Sequence, residues 1–184
     1  KGLEFIHRRY KAKLAALYFQ SWTNTYDSSD NLKHIYDMAL SCGDFSEFIV
    51  STRPDCVEDD VADLLAEYIT KDREVWVELG LQSASDETLR RINRGHTLSD
   101  YIKCMERLHK RGIKVCTHVI LGLPGEERED FIETAKVLNK VGSEGVKIHN
   151  LHIPGGTKMA EEYLEGEITS WSTERYMNEV EYFL

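Results

Sequence analysis

The chain has 184 residues, 41% of them apolar and 30% charged, and a net charge of −9. That balance, with only 3 Pro and 12 Gly, describes a globular domain and excludes disordered, collagen-like and low-complexity chains. The negative charge argues against a protein that coats nucleic acid, and no apolar run is long enough to span a membrane.

Lys1 to Lys13 is basic and reads as the end of a helix. With no initiator Met and a helical pattern over Ser172–Leu184, residues 1–184 are expected to be one domain cut from a longer protein. Between these ends, apolar runs of strand length occur at Leu14–Phe19, Glu47–Val50, Val75–Leu81, Lys114–Leu121 and Gly145–Leu151. They are nearly continuous, the pattern of strands covered on both faces. Amphipathic stretches of helical period alternate with them: Asp30–Ser41, Glu58–Thr70, Asp86–Asn93, Leu98–Arg111, Arg128–Val141 and Lys158–Leu164. Asp30 is the expected cap of the first of these, Asp86 precedes a helical run, and Ser99 or Asp100 is expected to open the helix that ends before Gly112. Five strand–helix repeats predict a parallel α/β sheet in sequential order, with helices on its outer face. Five strands cannot close an eight-stranded barrel, so a partial, TIM-like barrel is expected.

The four Cys, Cys42, Cys56, Cys104 and Cys116, form no C-x-x-C pair, so neither a zinc ribbon nor a disulfide framework is indicated. A free Cys116 inside an apolar run points to a reducing, cytoplasmic setting.

In parallel α/β folds ligands sit at the carboxyl ends of the strands. Each of the five ends here carries polar groups, Gly, or both: Gln20 to Tyr26, Ser51 to Asp55, Gly80 to Ser83, Gly122 to Glu126, and His149 to Thr157. Five such ends on one rim predict a ligand surface. Plainer readings stand beside it. Ser83 can cap the next helix, Arg53 can pair with Asp55 in a turn, and the Gly122–Gly125 loop can be a tight turn. His118, His149 and His152 could ligate a metal, as in a hydrolase, but lack the spacing of a zinc site on one helix face. Nucleophile-elbow, phosphate-loop and dinucleotide motifs are absent.

Tyr18-Phe19-Gln20-Ser21-Trp22-Thr23-Asn24-Thr25-Tyr26, Thr52-Arg53-Pro54-Asp55, Glu78-Leu79-Gly80-Leu81-Gln82-Ser83, Arg91-Ile92-Asn93-Arg94-Gly95-His96 and Ile120-Leu121-Gly122-Leu123-Pro124-Gly125-Glu126 occur in that order. Together they resemble the radical SAM superfamily, in the branch of the elongator catalytic subunit, the oxygen-independent coproporphyrinogen oxidases and the YhcC-like Fe–S oxidoreductases. The resemblance implies a partial (β/α)6 barrel, truncated here to about five parallel strands, that holds S-adenosylmethionine (SAM) and a [4Fe–4S] cluster. It implies an oxidoreductase that cleaves SAM reductively to a 5′-deoxyadenosyl radical, which takes hydrogen from a substrate. Thr23 and Asn24 fall where the family carries its methionine-amine element, although Ser21-Trp22-Thr23 replaces the usual glycines. Arg53 lies at the second strand end, Gln82 and Ser83 at the third. Gln82 matches a residue near the ribose or methionyl part, and Arg94 one that pairs with the SAM carboxylate. Ile120, Gly122 and Gly125 match the adenine-side loop, and Asn150 and Leu151 the last strand end near the adenine.

The family's cluster motif, C-x-x-x-C-x-x-C, is missing, so the cluster ligands are expected outside this chain, and this piece is expected to be inactive alone. The resemblance further implies a flavodoxin- or ferredoxin-type electron donor and admits RNA as substrate. A cluster-free barrel that only binds a ligand or partner is the competing reading.

Overall fold

A computed structural model describes residues 2–184. Helix α1 (Gly2–Tyr10) precedes strand β1 (Ala16–Phe19), and α2 (Ser29–Leu40) leads to β2 (Glu47–Thr52). A short 3-10 turn (Pro54–Cys56) and α3 (Asp59–Glu67) precede β3 (Glu74–Gln82). Then come α4 (Asp86–Arg91), α5 (Leu98–His109), β4 (Lys114–Leu121), α6 (Arg128–Val141), β5 (Gly145–Asn150), α7 (Lys158–Leu164) and α8 (Thr173–Phe183). The five strands pair in parallel in the order β1-β2-β3-β4-β5, a curled half-barrel. The expected fold class, strand order and parallel sense are all borne out.

The helix starts differ from expectation. Ser28, not Asp30, caps α2 by accepting from the Asn31 amide, and Ser85 caps α4. Thr97 opens α5 in a reciprocal capping box with Asp100. The stretch expected to be helical to Thr70 leaves the helix after Glu67, because Thr70 turns back to bridge Arg73 before β3. Of Lys1–Lys13, Gly2–Tyr10 is helical; Lys1 lies outside the described residues.

The largest correction concerns the strand faces. The runs were expected to be covered on both sides, yet β4 alternates strictly between buried and half-buried residues, and β3 does so over its first half. Phe48, Val50, Val75, Val77, Leu79, Leu81, Val115 and Val119 point outward and join one core with helix residues such as Tyr36, Leu65, Tyr101 and Leu108. The opposite, concave face carries Tyr18, Ser51, Glu78, His118, Lys147 and His149, which hydrogen-bond to one another. A half-barrel leaves this face open, and these polar side chains share it with apolar ones such as Ile49 and Ile120.

Candidate functional site

The rim is built around the end of β3. Its pairing with β4 slips between Gly80 and Gln82, and Gln82 takes a left-handed φ of 75°. A non-glycine residue held in that region is strained and persists only where its surroundings enforce it. Gly80 supplies the room: a β-carbon there would lie 2.7 Å from the Gln82 amide nitrogen and 2.9 Å from an Arg94 nitrogen. Arg94 reaches back from the turn after α4 and donates through Nη2 to the Gly80 carbonyl at 3.2 Å. Two residues on, His96 lies buried, with Nε2 3.3 Å from the Leu81 carbonyl. That carbonyl can only accept, so Nε2 carries the proton and Nδ1 is bare.

Among the described residues, Arg94 Nε and His96 Nδ1 are the two buried side-chain polar atoms without a hydrogen-bond partner. Burial, with the nearby Arg53 charge, lowers the pKa of Arg94, and burial followed by the Arg94 charge lowers that of His96. Arg53 grips Asp55 bidentately, and a β-carbon on Gly95 would meet the Arg53 guanidinium at 3.2 Å. The local balance therefore leaves Arg94 as a cation with a donor unspent, a setting that suits a carboxylate.

Other expected residues are engaged in holding the rim. The Asn24 side-chain amide donates to the Phe19 and Ser51 carbonyls at 3.0 and 3.1 Å, pinning the ends of β1 and β2 together. Thr23 sits beside it, half-buried. The Ser83 hydroxyl donates to the buried Glu126 carboxylate and accepts from the Ser85 amide at 3.0 Å, so it anchors the loop after β4 to the end of β3. Ile120 is half-buried on the concave face of β4.

Gly122, Asn150 and Leu151 come together in a cleft of about 180 Å³ completed by Trp171 and Tyr176. At Gly122 φ is +90°, and a β-carbon would meet the Trp171 ring at 3.2 Å, so only glycine fits beneath that ring. Gly125 lines an adjoining cleft of about 290 Å³ that shares Gly122 and Trp171. Trp171 was not legible as a site residue, because it lies between α7 and α8 outside any periodic pattern.

His118 and His149 meet, with Nε2 of His149 3.4 Å from Nδ1 of His118, but His152 is not brought into bonding contact with them. Among the described residues no group of three His, Cys, Asp or Glu is arranged to hold a metal ion. The polar centre of the concave face is Glu78, which opens the Glu78-to-Ser83 motif but was given no role by sequence reasoning. One of its carboxylate oxygens takes donors from Tyr18, from Ser51 at 3.2 Å, from His118 at 2.7 Å and from Lys147 at 3.0 Å. Burial works against that carboxylate, but Tyr18, Lys147 and His118 outweigh it and hold its pKa below the ordinary range.

Glu126 shows the opposite balance: burial raises its pKa above the ordinary 4.5, and the Ser83 and Thr88 hydroxyls only partly offset this. A carboxyl raised in the fold lends stability below its unfolded pKa and loses it as pH rises through the folded value. Glu126→Gln should therefore gain nothing at low pH, stabilise the protein as pH rises from 4.5 through the raised folded value, and level off above it. Urea unfolding of both proteins across that range checks this; a constant difference at every pH would contradict it.

Residues 8–138 match the family model described as the radical SAM superfamily, and residues 143–184 match the radical SAM C-terminal domain. The chain is 45% identical over 168 residues to protein MJ0486 of Methanocaldococcus jannaschii, covering 91% of this chain and 52% of that one. It is 42% identical over 166 residues to protein YhcC of Escherichia coli, covering 90% and 54%. It thus spans about half the length of these curated relatives. Among solved structures, Elp3 of Methanocaldococcus infernus superposes with a TM-score of 0.77 at 22% identity, over 91% of this chain and 44% of that one. Among the described residues, no helix is long and apolar enough to cross a membrane.

Proposed function

This chain belongs to the radical SAM superfamily, and on that premise we propose that its rim is the SAM-binding part of a radical SAM Fe–S oxidoreductase. The observation that carries this reading is the unspent donor of Arg94, buried beside the strained Gln82 at the end of β3. Arg94 would hold the SAM carboxylate, and Gln82 the ribose or methionyl part. The cleft beneath Trp171, with Gly122, Asn150 and Leu151, would take the adenine. When bound, SAM supplies on reductive cleavage the carbon radical that abstracts hydrogen from substrate. The chain's own residues orient the methionyl and adenine ends.

The described residues do not fit a [4Fe–4S] cluster. Among them no three His, Cys, Asp or Glu side chains converge, so the four free Cys offer no ligand set for it. A cluster needs thiolates. In this reading the cluster ligands and the electron donor, of flavodoxin or ferredoxin type, come from outside the chain. The substrate is left as a class: Arg8, Arg9, Lys11 and Lys13 are exposed and offer the phosphate contacts an RNA substrate would use.

Iron content and 5′-deoxyadenosine release test the proposal. The 184-residue chain, reconstituted anaerobically with iron and sulfide, should hold no stable cluster and release no 5′-deoxyadenosine with any reductant. A polypeptide extended to the length of the relatives should do both. A short chain that carries a cluster and cleaves SAM would sink this division of labour. An extended protein that does neither would favour the cluster-free binding barrel.

A further inference from the structure

We propose that Glu78, His118 and His149 form an acid–base relay on the concave face whose working atom is Nδ1 of His149, and that it takes a proton from a substrate N–H or O–H group. The argument is one of hydrogen-bond parity. Glu78 is held as a carboxylate by donors from four strands, Tyr18 on β1, Ser51 on β2, His118 on β4 and Lys147 on β5. A carboxylate only accepts, so the His118 nitrogen 2.7 Å from it, Nε2, must carry a proton. Nδ1 of a neutral His118 is then a bare acceptor. The group facing it is Nε2 of His149 at 3.4 Å, which must therefore be the donor. This leaves Nδ1 of His149 unprotonated, and among the described residues it meets no hydrogen-bond partner.

The burial of the line supports the same assignment. The Glu78 and His118 side chains are 12% and 18% exposed, and His149 is half-buried toward the open face. Burial keeps both imidazoles neutral; Lys147 reinforces this and Glu78 opposes it. In the proposed step the substrate X–H bond breaks, its electron pair stays on X, and an N–H bond forms at Nδ1 of His149. The imidazolium charge is shared through the Nε2–H···Nδ1 contact with His118 and balanced by Glu78, which need not itself be protonated. His149 is the catalytic residue; Glu78 and His118 are positioning residues. The matching substrate presents a neutral polar N–H or O–H donor, such as an amide or a nucleobase edge.

The inference shares with the proposed function only the use of the concave face for substrate. Its test needs neither SAM nor cluster, so the two readings fail separately. Long-range nitrogen–proton spectra of 15N-histidine-labelled chain, at about pH 8 and so well above the ordinary imidazole pKa, report the tautomer of each ring. His118 and His149 should both be protonated at Nε2 and bare at Nδ1. Glu78→Gln should abolish the single-tautomer signature of His118, and Glu78→Asp should restore it. Diethyl pyrocarbonate should modify His149 faster than His118, whose two nitrogens are both engaged. A proton on Nδ1 of either ring would overturn the proposal, as would unchanged spectra in Glu78→Gln or equal modification rates. Should Glu78→Gln fail to fold, the wild-type tautomers and modification rates decide alone.

Discussion

Truncating Phe48 to Ala should lower the unfolding free energy by about 3–5 kcal/mol, the range for a large aromatic removed from a packed core. Phe48 is fully buried on the outer face of β2. Its ring meets Tyr36 at 5.1 Å, Tyr68 at 5.3 Å and Phe19 at 6.0 Å between centroids, each nearly edge-on. It thereby ties β1, α2 and α3 to β2. Edge-to-face pairs of this kind contribute about 0.5–1.5 kcal/mol each beyond the area they bury. Little can collapse into the space, because Tyr36 and Tyr68 are tethered through their hydroxyls to the Asn24 carbonyl and the Asp37 carboxylate. The midpoint of urea unfolding should fall with no change in its slope. Phe48→Leu, which keeps much of the volume but loses the three ring pairs, should cost less than Phe48→Ala. A loss from Phe48→Ala as small as that of the Leu variant would mean the aromatic cluster is not packed as described.

The fold was legible because local and global signals agree. Each strand-length run is followed by a helical run, and connections that short leave each strand beside its predecessor. Apart from the strand faces and the end of α3, the errors fell at helix starts where several residues compete. Asp27-Ser28-Ser29-Asp30 offers four good caps in a row, and only the chain's path selects Ser28. Thr97 was overlooked for a similar reason, since Ser99 and Asp100 are also cap residues and Asp100 does take part, from the third position of the box.

The rim was legible as a set of strand ends, but the division of labour among its residues was not. Ser83 and Asn24 look like ligand residues by position, yet their hydrogen bonds hold the loops that carry the rim. Glu78 was seen only as the first residue of the Glu78-to-Ser83 motif and given no role, because one acidic residue inside Val-Trp-Val-Glu-Leu shows no partner in sequence. Its partners Tyr18 and Lys147 stand 60 and 69 residues away, and they converge only once the strands are in register. The signal that could have found it is the shared period: Glu78, His118 and Lys147 each sit between outward-facing neighbours, so all three fall on one face.

Replacing Arg94 by Ala, in a polypeptide extended to the length of the relatives, should weaken SAM binding about 10- to 150-fold. That is the equivalent of about 1.5–3 kcal/mol for a hydrogen bond to a charged group. Arg94 donates once, to the Gly80 carbonyl, while its buried Nε donates to nothing. A buried donor without a partner costs stability, and an arriving carboxylate would satisfy it and supply the missing charge. Arg53 adds no competing demand, because Asp55 already neutralises it. Removing the Arg94 guanidinium therefore takes away a cost in the free protein as well as a contact in the complex, and the melting temperature should barely move. Arg94→Lys should recover only part of the affinity, since an ammonium keeps the charge and loses the planar fork. Isothermal titration with SAM, beside thermal melts of all three proteins, separates the outcomes. Unchanged affinity in Arg94→Ala would remove Arg94 from the site. A large fall in melting temperature would make it a structural cation whose role is to hold the end of β3.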